Sequence, residues 1–320
     1  MIPIKQLRNA DYENVIEFSI VEEQVGERID KFLAEVLETD NIASFSRTYV
    51  QKLITDGNVL VNGNNIKANY KLVLDDIIRI MIPFPEEYTI EPEDIPLDII
   101  YEDEDVILIN KPKGMVVHPS AGHYTGTLVN ALMYHCDNLS GINGVMRPGI
   151  VHRIDMNTTG VLVACKNDAA HLSLSAQLKE HSITRYYYAI CHNRFNEESG
   201  TVNAPIGRHP LERKKMAINV KRGKDAITHY QVLENFDNYA FIKCKLETGR
   251  THQIRVHMSS ISHPLLGDNV YCRARSSFSV VGQTLHAGVL GFVHPRTGEY
   301  MEFEAPLPDY FEAILAKLRS

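Results

Sequence analysis

The densest group of reactive side chains is the polar loop HRIDMNTTG, from His152 to Gly160, which runs directly into the apolar stretch VLVA. A carboxylate on a loop beside a rigid strand can be aimed accurately. A nearby arginine keeps such a carboxylate ionised and able to attack an electrophilic carbon. Two readings of Asp155 stand side by side: a nucleophile, or a structural acid that caps a turn or pairs with Arg153. A second group is LETGRTHQIRVHM. Thr248-Gly249 ends a strand and Thr251 suits the N-cap of a helix. That places Arg250 beside a helix N-terminus, a position that favours an anion such as Asp155 or a phosphate. Arg255 and His257 lie further along the same helix, and an ordinary basic surface helix is the alternative. A third group is TRYYYAICH, in which strand alternation sends Tyr187 to one face and Tyr186 and Tyr188 to the other. A tyrosine beside a nucleobase offers a stacking surface and one hydroxyl; sheet packing is the competing use.

Other chemistries are not indicated. Fourteen histidines invite a metal reading, but no HxxxH or HExxH spacing occurs and His252 and His257, five apart, do not share a helix face, so no metal site is expected. No Walker loop and no GxGxxG occur, which argues against phosphoryl transfer and dinucleotide chemistry and leaves no expected cofactor.

Positioning these groups requires ordered scaffolding, and 320 residues with 44% hydrophobic content supply it. That length suits two domains. A net charge of −7 excludes a bulk polycation, although a local basic face remains compatible with nucleic acid. Ser46–Leu72 carries Arg47, Lys52, Lys67 and Lys71 against Asp56. Ile206–Asp225 carries seven basic residues, including Arg213 and Lys214, against two acids. Either run also fits a merely solvated surface. Five scattered cysteines without a CxxC pair, no signal peptide and no long apolar run predict a cytoplasmic protein with free thiols and no membrane association.

Periodicity predicts a loose arm over residues 1–15, then a small module over 16–82. The module has a strand at IEFSIV, a helix in GERIDKFLAEVL, and a second helix in SFSRTYVQKLITDG with Ser46 as N-cap. A hairpin follows at Asn62-Gly63, and IIRIMI makes a closing strand. Residues 83–96, rich in proline and acids, read as a linker. Residues 97–320 alternate less regularly. Strands are expected at DIIYED, DVILIN, GMVVHP, GVLVACK, TRYYYAICH, ITHYQVLENF, AFIKCKLET, TLHAGVLGFVH and EYMEFEAP. Helices are expected at TLVNALMYH, DAAHLSLSAQLKEH, HQIRVHMSSIS and DYFEAILAKL. Clustered strands give an α+β class with a mostly antiparallel mixed sheet.

Taken together, these motifs resemble the RluA/RluD-like branch of the bacterial RNA pseudouridine synthases over nearly the whole chain. HRIDMNTTG stands where the family has HRLDxxTSG, RYYYA carries its strand tyrosine, and TGRTHQIRVH is matched in full. NKPKGMVVHP, HPLLGDNVY and LHAGVLGFVHP also look like family blocks. The resemblance implies isomerisation of uridine to pseudouridine without a cofactor. It implies Asp155 as catalytic aspartate, Tyr187 as active-site tyrosine and Arg250 as the arginine that pairs with Asp155, with Arg153 and His152 near the RNA. Residues 16–82 resemble the small RNA-binding domain first named from ribosomal protein S-four, implying RNA contact through Lys31, Arg47, Lys52 and Lys67. Large-subunit ribosomal RNA is the implied partner and a monomer the implied state. The competing functions are a catalytically silent RNA-binding ribosome assembly factor and a base-releasing glycosylase.

Overall fold

The computed structural model describes residues 5–7, 12, 14–39, 47–83, 90–119, 123–142, 147–212, 215–274 and 276–320. Ser46, expected as a helix cap, and Arg213 and Lys214 of the second basic run lie outside them. The chain divides into two compact units, Met1–Glu87 and Tyr88–Ser320.

The first unit contains β1 (Lys5–Leu7), β2 (Asn14–Ser19), α1 (Ile29–Thr39), α2 (Arg47–Thr55), β3 (Val59–Val61), β4 (Asn64–Asn65) and β5 (Ile77–Ile82). The sheet order is β1-β2-β5-β3-β4. Residues 5–7 are therefore not a loose arm: they pair antiparallel with β2, satisfying an edge that would otherwise stay open. Ile29, Phe32 and Leu33 of α1 and Val50, Leu53 and Ile54 of α2 bury the apolar stripes expected from their spacing, against Ile16, Ile78 and Ile80 of the sheet. Asn62 takes positive φ and, with Gly63, turns the β3–β4 hairpin.

Asp30, in the first turn of α1, is fully buried. Arg28 and Arg47 each donate two hydrogen bonds to it at 3.0–3.1 Å, and Gln51 donates one at 2.6 Å. Burial alone would raise its pKa. The bonds from Arg28, Gln51 and Arg47 outweigh burial and hold the carboxyl at about 2.

The second unit contains β6 (Ile99–Glu102), β7 (Val106–Lys111), α3 (Leu128–His135), β8 (Thr159–Cys165), α4 (Asp168–Lys179), β9 (Thr184–His192), β10 (Ser199–Asn203), β11 (Ile206–Arg208), β12 (Met216–Ile218), β13 (Ile227–Asn235), β14 (Tyr239–Leu246), α5 (Gln253–Ser260), β15 (Leu285–Val293), β16 (Tyr300–Glu304) and α6 (Asp309–Arg319). Its main sheet runs β10-β13-β14-β9-β15-β8-β7-β6, with β16 also on β15. The β15–β8 pair is parallel and the other main-sheet pairs are antiparallel. Strands β7 and β8 are buried almost throughout, which explains their unbroken apolar runs. Ile107, Ile109, Leu162 and Ala164 face a core shared with α3 and α5, whereas Val106, Leu108, Val161 and Val163 face α4. Gly160 (φ 108°) lets β8 approach β15, because a Cβ there would collide with the Ala287 carbonyl.

Three further points depart from expectation. GMVVHP is not a strand. The carbonyls of Val116 and Val117 instead accept the Leu128 and Val129 amides at the start of α3, at 2.9 and 3.1 Å, so its backbone polar groups are used by a helix end. Strands β10, β11 and β12 had no alternating apolar signal and were not expected. The linker composition extends to Pro96, but Ile90 is buried in the second unit's core, and Asn130 bonds the backbone carbonyls of Glu91 and, through its own carbonyl, the amide of Glu93.

Asp30→Asn should destabilise the first unit by about 2 kcal/mol near neutral pH, because two arginines lose their anion. Since the folded pKa lies below the unfolded value, Asp30 stabilises fully above pH ~4 and its contribution fades as pH falls through about 2. Denaturant unfolding of the parent and the variant at pH 6 and pH 2 measures this. Equal stability of the two at pH 6 would contradict it.

Candidate active site

Asp155 lines a pocket together with Arg153, Tyr187, Arg250, His252 and Arg255. The loop that carries it is pinned from several sides. The Thr158 amide donates to the Asp155 carbonyl at 3.0 Å. Gln283 donates to the Thr158 hydroxyl at 3.0 Å. The Thr159 hydroxyl meets His286 Nδ1 at 2.8 Å, while His286 Nε2 meets the Ala305 carbonyl at 3.0 Å. The carbonyl fixes the proton on Nε2, so Thr159 is the donor.

His152 accepts the Val163 amide through Nε2 at 3.1 Å. Burial, followed by the charge of Arg185, lowers its pKa to about 3. Uncharged at neutral pH, it clamps the loop to β8. Arg153, by contrast, is exposed, with Nη1 3.3 Å from His118 Nε2.

The partner of Asp155 differs from the expected one. Arg255 Nη1 donates to Asp155 Oδ2 at 2.9 Å. The same guanidinium donates to Asp268 through Nε (2.7 Å) and Nη2 (2.9 Å). Arg250 lines the pocket, but its Nε donates to the Asp225 carbonyl at 2.9 Å. Among the described residues the ion-pair partners of Asp155 are Arg255 and, at 3.8 Å, His252.

The cause is where the helix begins. Thr251 is not the cap; His252 occupies that position in the left-handed region (φ 58°), and α5 starts at Gln253. The Gln253 amide group ties the preceding turn, accepting from Arg250 N and Thr248 Oγ1 and donating to Ile227 O and Thr228 Oγ1 at 2.8–3.0 Å. Arg250 is thereby left on the turn, and Arg255 enters the buried face. Burial would lower the pKa of Arg255, but the paired carboxylates Asp268 and Asp155 raise it well above the ordinary value, so it is permanently charged. Asp268 is itself buried and also accepts the Val270 and Tyr271 amides.

Tyr187, on the central strand β9, is buried at 8% exposure and belongs to the core beneath the pocket. Burial raises its phenol pKa, opposed by the charge of Arg185 and aided by that of Asp155, so it stays protonated at neutral pH. Tyr186 and Tyr188 take the opposite face: Lys243 Nζ lies 4.0 Å from the ring centroid of Tyr186, and Tyr188 packs with Phe241.

Several participants escaped the sequence reading. Tyr271 accepts the Met216 amide at 2.9 Å and meets His252 Nδ1 at 2.7 Å, so its hydroxyl donates to Nδ1 and His252 turns an N–H toward Asp155. Lys111 is fully buried and donates to the carbonyls of Pro112, Met115 and Met156 at 2.7–3.0 Å, anchoring the residue after Asp155. Burial lowers its pKa to about 7, opposed by the charge of Asp155. The signal for Arg255 was its position: three residues before Met258, it borders the apolar stripe of α5, where an arginine requires a buried anion.

Outside this pocket, Asp103, Asp105 and His294 cluster among the described residues. Their polar atoms bond one another, Tyr101, Arg296 and backbone amides. No helix of the described residues is long and apolar enough to cross a membrane.

The chain and its fold match known proteins. Residues 105–260 match a family profile described as RNA pseudouridylate synthase. An uncharacterised RNA pseudouridine synthase of Bacillus subtilis is 54% identical over 96% of this chain and 99% of its own length. Ribosomal large subunit pseudouridine synthase D of Zymomonas mobilis is 45% identical over 94% of this chain and 96% of its own. The solved structure of human RNA pseudouridylate synthase domain containing 1 superposes with a TM-score of 0.54 and 26% identity, covering 71% of this chain and 96% of that one. The chain belongs to the RNA pseudouridine synthase family, as its motifs implied.

Arg255→Met should lower the rate of pseudouridine formation by roughly 100-fold or more, because two acids lose the cation between them. Arg255→Lys should recover only part, since an ammonium cannot serve both carboxylates with a planar fork. Arg250→Met should have a markedly smaller effect on the single-turnover rate. Rates measured on folded variants, verified by thermal melting, decide between the two arginines. A greater rate loss at Arg250 than at Arg255 would restore the original pairing.

Proposed function

We propose that this enzyme isomerises uridines of large-subunit ribosomal RNA, with Asp155 acting at the ribose. The observation that carries the chemistry is a carboxylate oriented by a buried guanidinium, above a buried tyrosine, in one pocket. The N1–C1′ bond of the uridine breaks, the uracil turns, C5 bonds to C1′ and the C5 proton is lost while N1 gains one. No atom is added and no electron leaves, so the residues of the chain suffice. Asp155 either attacks C1′ or balances positive charge on the ribose, and an oriented, ionised carboxylate serves both. Tyr187 packs against the extruded uracil, and its protonated phenol is positioned near the ring. Arg250 and Arg153 line the pocket and contact the RNA, Arg153 near the position that the flipped base vacates. Extrusion costs a few kcal/mol, which phosphate contacts offset.

The ribosomal assignment is supported by the names of the relatives, several of which are large-subunit enzymes. A silent assembly factor would have no use for Asp155 held by Arg255 in an open pocket. Residues 16–82 are assigned as an S-four-like RNA-binding domain: Lys52 and Lys67 are exposed, Lys31 is exposed opposite Glu35, and Arg47 is half-exposed while also holding Asp30. Arg47 is thus both a strut and a surface cation. We assign a monomer working in the cytoplasm, consistent with five free thiols, four of them buried.

Asp155→Asn should abolish pseudouridine formation and leave RNA affinity within a few-fold. Mapping pseudouridine in unmodified large-subunit RNA after incubation with each protein tests this. Substantial product from the variant would end the assignment of Asp155, and no product from the parent would end the choice of RNA.

Deleting residues 1–87 should leave a folded second unit, since each unit has its own core. The shortened protein should bind RNA more weakly and lose about 0.7–0.9 of salt slope for each phosphate contact removed. An unchanged affinity and slope would show that the first unit does not anchor RNA.

A further inference from the structure

Beside the catalytic pocket lies a second cleft of about 450 Å³ that shares Arg153, Tyr187, Leu246 and Arg250 with it. Its lining adds Lys179 and His181 from the end of α4, His152, and Arg185 from β9, and includes no carboxylate. Arg185 is the unusual member. It is only 6% exposed, yet among the described residues it has no acidic partner. Its Nη2 donates to the Glu247 backbone carbonyl at 3.1 Å, while its buried Nε has no hydrogen-bond partner. The Glu247 carboxylate is turned away, onto His229 at 2.6 Å. Burial lowers the pKa of Arg185; Tyr187 opposes this and neighbouring Arg250 adds to it. A buried guanidinium beside a second guanidinium, with no anion, is strongly unfavourable in the empty protein. Gly249 makes the arrangement possible, because a Cβ there would lie 2.7 Å from Arg185 Nη1. A fork of N–H donors at the base of a cationic cleft is suited to a tetrahedral oxyanion.

We infer that this cleft binds a backbone phosphate of the substrate RNA adjacent to the target uridine, with Arg185 as the buried anchor and Lys179 at the rim. The inference rests on the proposed RNA substrate and deepens it by naming where the strand is gripped. Because the cleft shares a wall with the pocket of Asp155, the same phosphate that fills it fixes how far the neighbouring ribose can lie from the carboxylate. The charge of the phosphate also removes the repulsion between Arg185 and Arg250, so binding and ordering of this wall are coupled.

The test needs no turnover. The full chain is titrated calorimetrically with uridine 3′,5′-bisphosphate and with uridine. The bisphosphate should bind at least about tenfold more tightly, as expected for charge-assisted bonds. Arg185→Met and Lys179→Ala should each remove most of that preference, and Arg185→Lys should retain part of it. Lys179 is exposed at a helix end, so its variant folds and decides the matter even where Arg185→Met does not. A bisphosphate that binds no better than uridine, or a preference that survives in Lys179→Ala and in any folded Arg185→Met, overturns the proposal. Failure to modify ribosomal RNA would leave this binding result standing, so the two readings fail separately.

Discussion

The guanidinium of Arg255, held between Asp155 and Asp268, is the interaction on which the rest of the second unit depends. It joins three segments distant in sequence: the loop ahead of β8, the first turn of α5 and the turn that carries Asp268 and Tyr271. A buried guanidinium left without an anion is costly, and two lone carboxylates no less so. Together they satisfy one another, and the planar fork fixes their directions. Asp268 takes two of the three hydrogen bonds and lies fully buried, whereas Asp155 takes one and is 19% exposed. Structural load therefore falls on Asp268, which leaves lone pairs of Asp155 available to a substrate.

The surrounding electrostatics follow the same division. Burial keeps the imidazoles of His152, His118 and His286 uncharged at neutral pH, so they act as hydrogen-bonding struts. Positive charge at the pocket comes instead from arginines, whose state does not change across the physiological range. A chain of net charge −7 thereby presents a cationic surface beside the Asp155 pocket. Lys111 is the exception. With a pKa near 7 it carries charge below that pH and loses it above, while its three carbonyl contacts hold the segment beside Asp155.

Much of this was legible in the sequence, and the losses have physical causes. Helices with clear stripes, such as α1 and α2, and the unbroken runs of β7 and β8 were read correctly because one periodicity dominated each. Asp155 and Tyr187 stood out because polar or aromatic groups were concentrated next to rigid strands. Arg250 and Arg255 were not separable by pattern. Their roles turn on whether the helix begins after Thr251 or after His252, and one residue on a helix is about 100° of rotation. A histidine in the left-handed region as N-cap, supported by Gln253, leaves no local signature. GMVVHP misled for a related reason: its apolar residues suit a strand, but its carbonyls are taken by α3 and by Lys111, partners more than ten residues away or hidden in a buried amine.

The account stands most directly on the coupling through Arg255, and single-turnover rates for Asp268→Asn, Arg255→Lys and the double variant measure it. If Asp268 acts on the reaction by holding Arg255, each single change slows pseudouridine formation and the double variant is no slower than the worse single one. Losses that multiply in the double variant, or an Asp268→Asn protein with the parent rate, would show that Arg255 orients Asp155 without help from Asp268, and the central claim would be wrong.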